Sequence, residues 1–333
     1  MTMTTNRDPG IGGVTRRAAL AAAGSAATGA AFMAPAWAQG RAVTIVVPYS
    51  PGAPPDVVGR LMAEGLARRL GQPFIVDNRF GASGNIGSAA VSRAAPDGMT
   101  LLVQTNTLAM NAALFRDLPY DPVAGFAPVV HLANVGLGLM LHPSAGATAA
   151  EFMARAKARP GALNYGSPGI GTPHHLAMEL LKQQAGVDVT HVPYRGFSGA
   201  VTALLAGEVS ALFLTIGAAK ETASGGRVRL AAVASPTRLP SVPDVPTLSE
   251  AGLPATDIGG WYGLFAPPAT PPATIARLNA AANAVLAAPE TVAALAGFGT
   301  TPVGGPPERL RDLMAEEVVK WAAVVRRAGI TPE

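Results

Sequence analysis

A β-branched run, a loop bearing glycine or proline, and a stretch with apolar residues at helical spacing recur in that order along this chain. This alternation restricts the fold more than any other feature. Ala42 to Val47 is followed by Pro48-Tyr49-Ser50-Pro51-Gly52-Ala53-Pro54-Pro55-Asp56. Val57 to Leu70 then carries Val57, Val58, Leu61, Met62, Leu66 and Leu70 at helical spacing, and Gly71 stops it. Phe74 to Val76, the loop Asn78 to Asn85 and the stretch Ile86 to Ala94 repeat the unit. Thr100 to Val103 is a third strand, ending in Gln104-Thr105-Asn106. Strand, helix, strand, helix, strand at this spacing predicts a parallel sheet with right-handed crossovers.

The second half repeats the pattern. Thr148 to Ala158 reads as a helix, Val187 to Val192 as a strand, and Gly199 to Ala206 as a helix. Ser210 to Leu214 is a strand, Thr215-Ile216-Gly217 opens a short helix, and Val228 to Ala234 is a further strand. Phe126 to Leu141, broken by Gly136 and Gly138, and Ile258 to Phe265 are extended enough to cross between two domains. Pro271 to Ala287 and Pro306 to Ala328 are helices, with a short helix and a strand expected between them. The expected fold class is therefore α/β, with two αβ lobes joined by two crossover strands. Residues 39–135 with 262–333 form lobe 1, and 136–261 form lobe 2. That is the layout of bilobal binding proteins, in which ligand sits between lobes that close on it.

Asn164 to His175, Asn-Tyr-Gly-Ser-Pro-Gly-Ile-Gly-Thr-Pro-His-His, is the most informative loop. Thr172 suits the N-cap and Pro173 the first helical position. Its glycines let the backbone turn sharply, and the unpaired N–H groups of the helix start favour an anion such as a carboxylate or phosphate.

The first 38 residues read as an export signal. Thr15-Arg16-Arg17-Ala18-Ala19-Leu20 precedes an alanine-rich run, and Ala36-Trp37-Ala38 is a small-x-small cleavage site. The paired arginines resemble a twin-arginine signal. Export to the periplasm with cleavage after Ala38 is the expectation. No later stretch approaches the ~20 uninterrupted apolar residues of a membrane span. Charged residues make up 14% of the chain and the net charge is +4, with no basic run interleaved with aromatics, which argues against nucleic acid as a partner. Cysteine is absent, which excludes thiol catalysis and cysteine-bound metal.

Taken together the loops resemble a known family. Pro51-Gly52 with Asp56 and Arg60, Val76-Asp77-Asn78-Arg79, Gly81 through Gly87 and Asp97-Gly98-Met99-Thr100 all fit it. So do Tyr120-Asp121-Pro122, Asn164 through Leu176, His191 through Gly196, and Pro243-Asp244-Val245-Pro246-Thr247. The order and spacing are similar to those of the extracytoplasmic substrate-binding proteins of tripartite tricarboxylate transporters, the Bug-type receptors. The resemblance implies a Venus-flytrap receptor that holds a small organic carboxylate and delivers it to separate membrane permease subunits. It implies neutral donors more than ion pairs. His174, His175 and His191 are joined by no carboxylate at ligand spacing, so no metal is expected, and the further expectations are no cofactor and a monomer. Two departures bear on the ligand. Gly52-Ala53 stands where the family usually has Gly-Gly, and Pro54-Pro55 after it cannot donate. Leu214-Thr215 stands where many relatives carry an acid, which disfavours an amino-acid ligand.

On this reading the ligand contacts are Tyr49, Ser50, Gly52, Ala53, Asn106, Ser167, Gly171, Thr172, His175, Tyr194, Arg195, Gly196 and Thr215. Ser167 is expected on the carboxylate and His175 as a neutral donor in the first helical turn, where the dipole disfavours protonation. Asp56 is expected to cap the first loop, and His174 and His142 to be structural. A receptor that presents ligand to a membrane sensor kinase is an alternative reading. An exported hydrolase is another, but no serine here lies in a nucleophile motif.

Overall fold

The computed structural model describes residues 1–2, 41–255 and 258–332. The expected export signal and its cleavage site lie outside the described residues. Two sheets organise the chain. The elements of the first are β1 (Val43–Val47), α1 (Pro54–Leu70), β2 (Phe74–Asn78), α2 (Asn85–Ser92), β3 (Thr100–Thr105), α3 (Thr107–Leu114) and β4 (Ala127–Val135). The chain then enters the second with β5 (Leu137–Leu141), α4 (Ala149–Ala158), β6 (Asn164–Ser167), α5 (Pro173–Ala185), β7 (Thr190–Pro193) and α6 (Phe197–Ala206). That sheet is completed by β8 (Ala211–Thr215), α7 (Ile216–Ser224) and β9 (Arg229–Val233). The return runs through β10 (Gly260–Ala266), α8 (Pro272–Leu286), α9 (Pro289–Gly297), β11 (Thr300–Pro302) and α10 (Pro307–Arg327).

The six-stranded sheet has the order β11-β4-β10-β3-β1-β2, and the five-stranded sheet β7-β6-β8-β5-β9. The expected parallel pairing holds for β2-β1-β3 and for β7-β6-β8. Each sheet also has antiparallel members, β10, β4 and β11 in one and β5 and β9 in the other. The crossings run from β4 to β5 and from β9 to β10, so the direction of these strands follows the crossing and not a βαβ unit, while β11 adds an antiparallel edge beside β4. α3 was not foreseen in the sequence; it starts immediately after the third strand, where Thr105 Oγ1 accepts the Thr107 N–H at 3.1 Å.

Alternation along the strands covers both faces of the larger sheet. Ile45, Val47, Leu101 and Val103 pack with Met62 and Leu66 of α1 and Leu278 of α8, whereas Val46 and Leu102 belong to the core that holds Leu108, Met314 and Trp321. Burying such side chains contributes about 1.5–3 kcal/mol each, which fixes the strand register. Gly136 separates β4 from β5. A Cβ there would lie 2.4 Å from Leu239 Cδ1 and 2.8 Å from Ile216 Cγ1, so the passage between sheets requires glycine.

Candidate functional site

The loops that follow β1, β3 and β6 meet between the two sheets. They enclose a cavity of about 270 Å³ together with β5, β10 and the starts of α5 to α7. Tyr49, Thr107, Thr172 and Pro173 also line a second cavity of about 250 Å³ on the side of α3 and residues 330–331. Among the described residues, no Asp, Glu, Lys or Arg lines either cavity.

The structure brings together some of the expected contacts and withholds others. Tyr49, Ala53, Asn106, Thr172 and Thr215 line the larger cavity, and Gly171 lines the second. The Gly52 N–H, however, donates to Asp56 Oδ2 at 2.8 Å, and the Ala53 N–H to the Ser50 carbonyl at 3.1 Å. With Pro54 and Pro55 unable to donate, the first loop carries no anion cradle. Ala53, not Asp56, is the N-cap residue; Asp56 lies in the first turn and reaches back to the loop. Its carboxylate is 2% exposed and also accepts from Arg60 Nε and Asn78 Nδ2. Burial alone raises the Asp56 pKa, but hydrogen bonds from Arg60, Gly52 and Asn78 together hold it below the ordinary 3.8.

The second loop is tied in a similar way. The Gly171 N–H donates to His175 Nδ1 at 3.0 Å, and Thr172 Oγ1 donates to the Gly169 carbonyl while accepting from the His175 N–H. Ser167 is fully buried; its hydroxyl sits 2.7 Å from His191 Nε2, 3.0 Å from the Gly169 carbonyl and 3.2 Å from the Gly169 N–H. The His175 and His191 rings stack at 3.9 Å with Tyr165 beyond. Burial lowers the His175 pKa to about 3 and that of His191 to about 4, so both are neutral. His175 is therefore a support beneath the loop. Tyr194, Arg195 and Gly196 line neither cavity. The Tyr194 and Gly196 N–H groups bond the Ser167 and Pro168 carbonyls, and Arg195 is exposed.

Other polar groups in the larger cavity are unengaged. Asn106 is 3% exposed and its Nδ2 is buried without a partner among the described residues. Both ring nitrogens of His174 are buried without a partner among the described residues, and its ring lies perpendicular to that of Phe197 with centroids 4.6 Å apart. Burial lowers its pKa to about 4. Thr215 is the N-cap of α7 but makes no side-chain cap bond. Tyr262, 5% exposed, forms no side-chain hydrogen bond among the described residues, and burial raises its pKa. Sequence reasoning missed His174 and Tyr262. Adjacent histidines at a helix start face different ways, and the earlier one faces the cavity. Tyr262 sits opposite Thr105 in the β3–β10 pairing, a register that no local pattern reveals.

Two sheets linked by antiparallel crossing strands, with a cleft between them whose described lining is uncharged and largely apolar, define a bilobal solute-binding protein. Comparison with known proteins gives the family. A profile described as Tripartite tricarboxylate transporter family receptor matches residues 58–330, and this chain belongs to that family. It is 36% identical over 313 residues to protein BugT of Bordetella pertussis, covering 93% of this chain and 95% of BugT. The R. palustris Rpa4515 structure with adipate superposes with a TM-score of 0.76 at 34% identity, covering 88% of this chain and 99% of that one. MatC (Rpa3494) from Rhodopseudomonas palustris with bound malate gives a TM-score of 0.71 at 36% identity, covering 86% and 99%. The family is one of periplasmic solute-binding proteins with carboxylate ligands.

Proposed function

We propose that this chain captures a small organic carboxylate in the cleft and hands it to the membrane subunits of a tripartite tricarboxylate transporter. The observation that carries this is the set of unengaged neutral donors in a cavity that no charged side chain lines among the described residues: Asn106 Nδ2, His174, Thr215 and Tyr262. Hydrogen bonds from neutral donors to a charged acceptor contribute roughly 1.5–3 kcal/mol each, enough for a few to hold one carboxylate without an ion pair. Adipate and malate in two relatives of more than 30% identity support the same ligand chemistry. The binding contacts proposed here retain Asn106 and Thr215 with the ring of Tyr49, and add His174 and Tyr262. Ser167, His175 and the loop glycines shape the site from behind.

The working arrangement is a periplasmic monomer, released from its export signal after Ala38. Its lobes are residues 39–135 with 262–333, and 136–261. The end of β4 at Val135 supports the first bound, whereas β10 already pairs in the larger sheet from Gly260, two residues before the second. The test is a thermal-shift screen over mono- and dicarboxylates. Ligand at about 100 times its dissociation constant adds about 2.7 kcal/mol of stability, a readable rise in Tm. A panel that leaves the Tm unmoved overturns the reading.

A further inference from the structure

The polar ends of two cavity aromatics are taken up by the protein. Trp261 Nε1 donates to Glu317 Oε2 at 3.3 Å, and Trp261 is among the residues that line the cleft. The Tyr49 hydroxyl lies 2.6 Å from Gln104 Oε1, 2.8 Å from Thr105 Oγ1 and 2.6 Å from Thr107 Oγ1. Both side chains are left to offer the cavity mainly hydrocarbon. Phe197 and four prolines, Pro54, Pro55, Pro168 and Pro173, add to the same surface. Against this stand the few unengaged donors and no cation. A carboxylate brought here loses its hydration, and only hydrogen bonds offset that loss. Four donor groups suffice for one carboxylate; a second would lie against hydrocarbon. The cavity volume, about 270 Å³, exceeds the roughly 150 Å³ at which an apolar cavity admits benzene. Aromatic walls favour a planar ring, which they can meet edge-to-face or in offset stacking.

Building on the carboxylate-receptor reading, we infer that the ligand of this site is an aromatic monocarboxylate. Its ring lies against Trp261, Tyr49 and Phe197, and its carboxylate accepts from Asn106, Thr215 and Tyr262. The body of the ligand is thus recognised by shape and hydrocarbon, and its single charge by neutral donors at one end.

Calorimetric titration of the purified protein with benzoate, adipate and malate tests this. Benzoate is expected to bind at least about tenfold more tightly than either diacid. Equal or tighter binding of adipate or malate overturns the aromatic assignment and leaves the carboxylate reading standing. Loss of binding across the whole carboxylate panel overturns both. Asn106→Asp provides a second arm, because it keeps the side-chain shape and sets a carboxylate beside the ligand's own. It is expected to weaken benzoate by about a hundredfold while the neutral amide benzamide is retained. Unchanged benzoate affinity in Asn106→Asp removes that residue from the anion site and overturns the proposed orientation.

Discussion

Gly52 and Gly171 occupy equivalent places on opposite sides of the cleft. Each has positive φ, each stands two residues before a helix that begins with proline, and each donates its N–H to the side chain four residues on. In the first loop the acceptor is the ionised carboxylate of Asp56, itself paired with Arg60. In the second it is the neutral ring of His175, stacked on His191. The same backbone solution is thus held by a charge on one side and by an uncharged ring on the other. The comparison teaches that a glycine-rich helix start need not be an open anion site. The protein's own side chain can occupy the role that a ligand would take.

The largest effect should follow from emptying the charged side. Asp56→Ala strands the Gly52 N–H and removes an acceptor from Arg60 and Asn78. Gly52 and Arg60 are exposed, so water can take up their donors, and what is lost is hydrogen bonding to a charged acceptor; the expected loss is about 2 kcal/mol by urea unfolding. A loss below about 1 kcal/mol would show that the carboxylate does not hold this loop.

Acid should separate the two sides next. His175 and His191 have pKa values depressed from the ordinary 6.5 to about 3 and about 4. The unfolded chain therefore binds protons that the folded chain refuses. Stability is full above pH 6.5 and is lost as pH falls toward the folded values, by up to about 1 kcal/mol per pH unit for each such group. Asp56 behaves differently: its folded pKa is lowered, so its contribution persists until pH falls below 3.8. Between pH 6.5 and 4.5, Tm should drop in the wild type and drop less steeply in His175→Gln. Identical slopes in calorimetric scans would break the link between the second loop and histidine neutrality.

A smaller effect is expected from Ser167→Ala. It removes the hydroxyl between His191 and Gly169 and should cost about 1 kcal/mol of stability. Affinity for the best carboxylate should stay within about twofold; a tenfold loss in titration would return this hydroxyl to the ligand. Arg195→Gln should be smallest, within about 0.5 kcal/mol in stability, because the side chain is exposed and makes no ion pair among the described residues. A drop in ligand affinity in that variant would restore an ionic contact to the cleft.

Much of the fold was legible because it rests on local pattern. β-branched runs, glycine stops and prolines at helix starts placed nearly every strand and helix, and Gly136 marked the passage between sheets. Helix α3 escaped because Thr107 to Leu114 follows its strand with no glycine or proline between them. The site was less legible. Thr172 and Asn106 could be placed near the cleft from their positions at strand ends and helix starts. Whether the N–H groups of Gly52 and Gly171 were open to a ligand depended on how Asp56 and His175 turn, which spacing leaves undecided. The choice between His174 and His175 depended on the rotation of α5 against Tyr165 and His191. Tyr262 depended on the pairing of strands more than 150 residues apart in sequence.

Glu317 collects both tryptophans of the described chain. Its Oε2 accepts from Trp261 Nε1 at 3.3 Å and from Trp321 Nε1 at 2.6 Å, while Lys320 bonds its Oε1. One of these indoles forms part of the cleft wall and the other is wholly buried behind it. Both indoles of the described chain are thus tied to one buried carboxylate at the border of the cleft. Indole fluorescence is therefore expected to respond when the cleft fills, and an emission spectrum unchanged at saturating carboxylate would count against that.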